Sequence, residues 1–502
     1  MANHARFIQI MTTAIITAIA VICLALSVPD LSSNTTPSGA DGGSNAPWFP
    51  SLMAFEHYDS GRTKLFERAH FTGSFTRDNA VDVRVSDDEY PTPYNVVYLS
   101  GASLFVFGGA YGDRGGTGSF VAWVDAQTLQ TVWSKQLINT EETREWIYPG
   151  VLSVLHDGFL YLIYGYRLAK LDPRDGTVLG KTELPTGRAA PRDTSYNGLS
   201  GLRDGTLVAK SVYRERGCEQ QGFSAFLCCP HPQRVPNSVV VAIDPRTLEV
   251  IDQTVAPELI GGRIAATEFE NHSYVYLTGQ KTLFRYIYED RRLRRDFSWN
   301  PGTVVLSGQS GPSAAAVMND WVVFATNSVP AAKPLSVVAI NQADASRQFS
   351  SQPFAAGGSP QSWCVSAVSV DPLRNRIFVL DGLAGRIAAV EVRDDGLHTV
   401  WTAPQITAEF LALIGPAQRR VLVGTDHASQ LMTPSCPPGA GPQDSVVWRN
   451  ADTGDEIARS PLLSPVSGGT MVEPGYAGRM YFLADNGKIM ELTARPARPG
   501  QQ

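Results

Sequence analysis

Three features of the 502-residue sequence predict an all-β fold of repeated sheets. The composition holds 45 Gly and 33 Pro with only 18% charged residues; eight apolar runs each end in a turn, mostly at an acidic or amide residue; two more strand-like runs precede each of them. Abundant turn residues and few surface charges favour strands over helices. The eight runs contain turn positions near Asp125, Asp172, Asp244, Tyr288, Asn341, Glu391, Asn450 and Leu492. Their spacing, mostly about 50 residues, is the interval of a propeller blade. The predicted fold is therefore a β-propeller of eight four-stranded blades, with seven blades the alternative.

In chain order, "MANHARF" is a basic opening, and Ile8 to Val28 follow without a charge. Such a segment is a signal peptide for export or a transmembrane helix that anchors the chain in the membrane. Ala25 to Ser27 offer small residues for cleavage, whereas the residues before Cys23 do not fit a lipoprotein signal. Residues 29–47 are rich in Gly, Ser and Pro and read as a flexible linker. Residues 48–496 then form a single propeller domain. Within it, Ser51 to Phe71 reads as a strand pair ahead of the first full unit, and the last unit stops after its third strand. An N-terminal strand that completes the last blade would leave no open sheet edge.

Each unit reads as strands a, b, c and d. In "FVAWVDAQTLQTVW", "YRLAKLDPRDGTVL" and "SVVVAIDPRTLEVI" the acid closing strand c caps the c-to-d turn through backbone N–H groups, so Asp125, Asp172 and Asp244 are structural. These segments resemble the repeats of the quinoprotein-like propellers, whose blades run roughly A-L-D-x-x-T-G-x-x-x-W. The first keeps the Asp, Thr and Trp spacing and lacks the Gly; the second keeps the Gly and lacks the Trp. The likeness spans nearly everything after about Ala46.

In a propeller the b-to-c and d-to-a links share one face, which usually holds the ligand or partner. Cys218, Cys228, Cys229 and His231 fall in one long b-to-c insert, His427 and Cys436 in another, and Cys364 in a d-to-a link. An exported chain favours disulfides. Cys364 with Cys436, and Cys218 with Cys228 or Cys229, are reasonable pairs, one cysteine being left over. The resemblance implies another reading of Cys228-Cys229, since quinoprotein alcohol dehydrogenases stack a disulfide of adjacent cysteines on pyrroloquinoline quinone beside Ca2+. The surrounding residues show no matching calcium-binding set and no "CxxCH" haem site. Metal ligation by the cysteines with His231 is a third reading.

The d-to-a links enter strand a and line the central channel. On them Glu145, Trp146, Arg192, Asp193, Tyr196, Asn197, Arg263, Gln309, Trp363 and Glu409 are the candidate residues for a polar and aromatic pocket at the channel mouth. His156 and His272 fall at a-to-b turns on the opposite face. No nucleophile elbow, H-E-x-x-H, Walker loop or dinucleotide fingerprint occurs. A net charge of -6, with "RRLRRDF" as the one basic cluster, excludes a general nucleic-acid binder. The expected role is an extracytoplasmic module, secreted or membrane-tethered, that binds a protein partner or small molecule through the loop-rich face. The alternative is an enzyme at the channel mouth, a quinone-dependent dehydrogenase or a metal-assisted hydrolase or lyase.

Overall fold

The structure, a computed structural model, describes residues 47–109, 118–229, 234–311, 314–328, 333–354, 362–364, 367–431, 436 and 441–497. The apolar segment 8–28 with its expected helix, most of the linker and His231 lie outside the described residues. Among those described, no helix is long and apolar enough to cross a membrane.

The strands form eight sheets, seven built on a four-stranded meander and the eighth on three consecutive strands completed by a strand from the start of the domain. Numbered as blades in chain order, their inner strands are Pro93–Val97, Val151–Val154, Thr194–Gly201, Ala265–Phe269, Ala316–Met318, Ser369–Asp371, Ala412–Ile414 and Glu473–Pro474. Valine, isoleucine, leucine and alanine on strands b and c pack between neighbouring blades, so the core is a ring of inter-blade contacts rather than one central mass. Blade 8 is closed as expected, but by a strand further along the chain. Asn79–Val85 pairs antiparallel with Ile489–Pro496 as its outer strand. This contact joins the two ends of the ring and leaves no unpaired edge at the seam.

The turn acids cap as their positions imply. Asp125 Oδ1 accepts the N–H groups of Gln127 and Thr128 at 2.8 and 2.7 Å, and Asp172 and Asp244 each accept the N–H two residues on at 2.9 Å. Asn341 and Asn450 cap their turns in the same way. The incomplete repeats are explained by pairing between blades. Trp133 at the end of blade 1 donates to the Pro173 carbonyl in the turn of blade 2, and Trp401 of blade 6 donates to Ala451 in the turn of blade 7, at 3.0 and 3.1 Å. Gly176 and Gly454 lie under those indoles: a Cβ there would sit 2.8 and 2.7 Å from ring carbons. The Gly of one repeat thus receives the Trp of the repeat before it, which is why the two residues need not occur in the same copy.

Ser51 to Phe71 is not a strand pair. It enters the central channel and follows the inner strands around the axis. The Ala54 carbonyl accepts from Val154 of blade 2, Met53 from Tyr98 of blade 1, and the Ser60 hydroxyl donates to Gly201 of blade 3. The carbonyls of Ser60, Gly61, Thr63 and Lys64 then accept from Ala266, Val317, Val370 and Leu413, the inner strands of blades 4 to 7 in order. The hydroxyl oxygen of Tyr476 in blade 8 accepts the Leu52 N–H of this segment at 2.9 Å. Only Leu65–Phe66 is extended, parallel to Leu413–Ile414. A strand is ruled out because His57, Tyr58, Arg62 and Lys64 all have positive φ, so the chain bends repeatedly instead of running straight.

Candidate functional site

The channel plug carries an unusual charge load. Arg62 and Lys64 are fully buried, and Glu56 and His57 nearly so. Glu56 accepts from Arg62 at 3.0 Å and from Tyr94 at 2.9 Å, and pairs with Arg263 at 2.9 Å. Arg62 also donates to the carbonyls of Ile264 and Leu199, and Arg263 to that of Asn197. Buried guanidinium groups with a shared carboxylate and backbone acceptors meet the condition for tolerating charge in a core. The neighbouring groups are pushed toward neutrality. Burial lowers Lys64 to about 7, holds His57 well below the ordinary imidazole range, and raises Glu473, near Glu56, well above the carboxylate range. Burial works against the charge of Arg263 too, but Glu56 and Tyr94 hold that charge firmly in place.

Above this floor the loop-rich face is bridged across the axis. The insert of blade 3, between Leu207–Tyr213 and Val239–Ile243, contains the one-turn helix Ser224–Cys228. Cys218 bonds to Cys229 within the insert, and Cys228 bonds to Cys436 of blade 7. Blades 3 and 7 are four positions apart in an eight-membered ring, so this second disulfide joins opposite sides of the mouth. Cys364 is a buried thiol outside both bridges, so the expected pairing of Cys364 with Cys436 does not form. The adjacent cysteines each bond elsewhere.

The strap rests on a built support. Trp146, Val212, Cys218 and Ala225 form a small apolar core, with Phe226 edge-on to Trp146 at 5.5 Å and to Tyr148 at 5.2 Å. Asp193 pairs with Arg214 at 2.8 Å, and Arg214 donates to the carbonyls of Gln220 and Arg144, fixing the root of the insert.

Between strap and plug lies a cavity of about 610 Å³. Phe223, Phe226 and Leu227 roof it, Tyr94, Arg263 and Phe410 floor it, and Trp363 lines one side, its indole 6.4 Å from Phe223. On the blade 7 side stand Glu409, His427 and Asp444. Asp444 holds Nδ1 of His427 at 2.5 Å with one oxygen and accepts the Val466 N–H with the other, at 2.7 Å. His427 Nε2 has no hydrogen-bond partner among the described residues. Glu409 accepts the Thr470 N–H at 3.0 Å, and burial raises it to about 7 against the pull of His427. Burial disfavours the charged form of His427, yet Asp444 and Glu409 together raise it above its ordinary value.

Of the ten candidate residues, Asn197, Arg263, Trp363 and Glu409 line this cavity. The other six do not reach it. Glu145 pairs with Arg167, Trp146 and Asp193 support the strap, Arg192 is exposed beside Asp193, Tyr196 is buried with its hydroxyl on the Pro185 carbonyl, and Gln309 ties Pro334 to Ser336. The side chains at these positions turn into inter-blade space or loop backbone, and sequence position alone does not fix that direction. Sequence reasoning missed the acid-imidazole pair because Asp444 is remote from His427 in the chain and meets it only through strand pairing of Val421–His427 with Asp444–Asn450.

A second groove, of about 960 Å³, runs along blade 7, flanked by the outer strands of blades 6 and 8, and shares His427 with the mouth cavity. Two of its three arginines are engaged, Arg459 with Asp426 and Glu456 and Arg449 with Gln405 and backbone carbonyls, while Arg77 is exposed.

The chain is similar in structure to a quinohemoprotein alcohol dehydrogenase from Comamonas testosteroni (TM-score 0.54, 10% identity, 89% of this chain and 81% of that one). A second quinohemoprotein alcohol dehydrogenase, from Pseudomonas putida HK5, gives a TM-score of 0.52 at 11% identity over 90% and 80% of the two chains. BamB from Moraxella catarrhalis gives 0.50 at 10% identity over 82% and 98%. No protein-family model and no curated protein sequence matches the chain. At these identities the likeness shows the fold, an eight-bladed quinoprotein-like propeller.

The residues present do not fit the quinone that this fold carries in the dehydrogenases. The adjacent-cysteine disulfide on which it would stack is replaced by two separate bridges. No group of three or more metal-ligating side chains is gathered among the described residues for a calcium ion.

Proposed function

We propose that the chain is an extracytoplasmic binding module that takes an apolar or amphipathic ligand into the cavity under the disulfide strap. The single observation that carries this reading is the cavity itself: about 610 Å³ between strap and plug, faced by half-buried aromatic and aliphatic side chains such as Phe223, Phe226, Leu227 and Trp363. Its volume is in the range of small-molecule sites. Two disulfides support a location outside the reducing cytoplasm, and the uncharged segment 8–28 supports export or tethering. A protein partner on the same loop-rich face is the second reading.

The test is titration with Nile red, a neutral dye whose emission shifts to the blue in apolar surroundings. Saturable binding at one site is expected, and Leu227→Glu, at a half-exposed roof position, should weaken it about tenfold or more by placing a charge against the ligand. Absence of saturable binding, or equal binding by the variant, would contradict the reading.

A further inference from the structure

The polar side of the cavity has a consistent hydrogen-bonding sense. In its neutral form, reached above its raised titration, His427 keeps its proton on Nδ1, 2.5 Å from the Asp444 carboxylate, and Nε2 is then an acceptor. His427 is 7% exposed and Glu409 6%. Three carboxylates, Glu409, Asp444 and Asp485, line the cavity against one guanidinium, Arg263, which is already paired with Glu56 of the plug. Acceptors and negative charge therefore gather at one end, and aromatic faces, including Trp363 and Phe410, at the rest. Protonated amines satisfy both: their N–H groups match the acceptors, and their charge is favoured by carboxylates and aromatic faces.

We propose that the ligand of this cavity is an organic amine, with its ammonium group at Glu409 and His427 and its apolar body under the strap. The assignment rests on the cavity being a binding site and adds to it the sign and chemistry of the head group. A carboxylate of the same body would leave the acceptors unpaired, the more costly arrangement in a buried site, and a neutral alcohol would meet them with one donor and no charge.

Calorimetric titration of the full chain with 2-phenylethylamine, 2-phenylethanol and phenylacetate at pH 8 tests it, since Glu409, raised to about 7, is then ionised. The amine is expected to bind about tenfold tighter than the alcohol or more, a single charge-assisted contact, and phenylacetate weakest. Glu409→Gln should remove most of the amine's advantage over 2-phenylethanol; His427→Ala is the second variant should that one fail to fold. Equal binding of all three probes, or tightest binding of phenylacetate, overturns the amine assignment and leaves the cavity standing as a site. No binding of any probe overturns both.

Discussion

At the residue scale, burial of Glu409 ties stability to pH. Its carboxyl is raised to about 7 in the folded chain, so between about 4.5 and 7 the folded state keeps a proton that the unfolded state has released. Stability should fall as pH rises through that window, by on the order of 3 kcal/mol at most for this group. The raised His427 acts in the same direction. Glu409→Gln should therefore flatten the decline of Tm between pH 5 and 7.5; an unchanged slope would show that Glu409 is not held protonated. Glu409 and Arg263 were legible as channel residues because their links enter strand a directly. Glu56, His57 and Arg62 were not, since a short segment mixing charged and apolar residues carries no periodic signal, and the backbone bends that place them are invisible in residue types.

At the element scale, the repeats were legible because the Asp or Asn ending strand c has a fixed physical task in the hairpin. The missing half of the pattern was not, because Trp and Gly act between blades. Gly454 has φ of 77° and lies under Trp401, whereas Gly205 has φ of 92° with no atom within 4 Å of a built Cβ. Alanine at Gly205 should cost about 1 kcal/mol for its backbone conformation alone. Gly454→Ala adds displacement of the partly buried Trp401 indole and should lower Tm clearly further in calorimetric melts. Equal losses would mean that the Trp-to-Gly contact contributes nothing to the joining of blades 6 and 7. The plug was misread for a related reason: strand-forming residues in "SLMAFEHYDS" are used for inter-blade packing, while the backbone follows the ring and bonds to one blade after another.

At the scale of the whole molecule, fold, blade number and the common face of the cysteines followed from the repeat, while the cysteine pairing did not, because it depends on which loops meet over the axis. The disulfide between Cys228 and Cys436 joins positions 208 residues apart and is the feature that turns a channel mouth into a roofed cavity. Closing so long a loop also constrains the unfolded chain, a contribution of about 5 kcal/mol in the chain-entropy description. The most direct test is tryptic mapping of the protein, alkylated while denatured and without reduction. Trypsin releases Gly217–Arg234 with Cys218, Cys228 and Cys229, Val421–Arg449 with Cys436, and Gln348–Arg374 with Cys364. The first two peptides should be recovered as one cross-linked pair and the third as an alkylated thiol; recovery of Gln348–Arg374 joined to Val421–Arg449 would contradict the strap and the cavity beneath it.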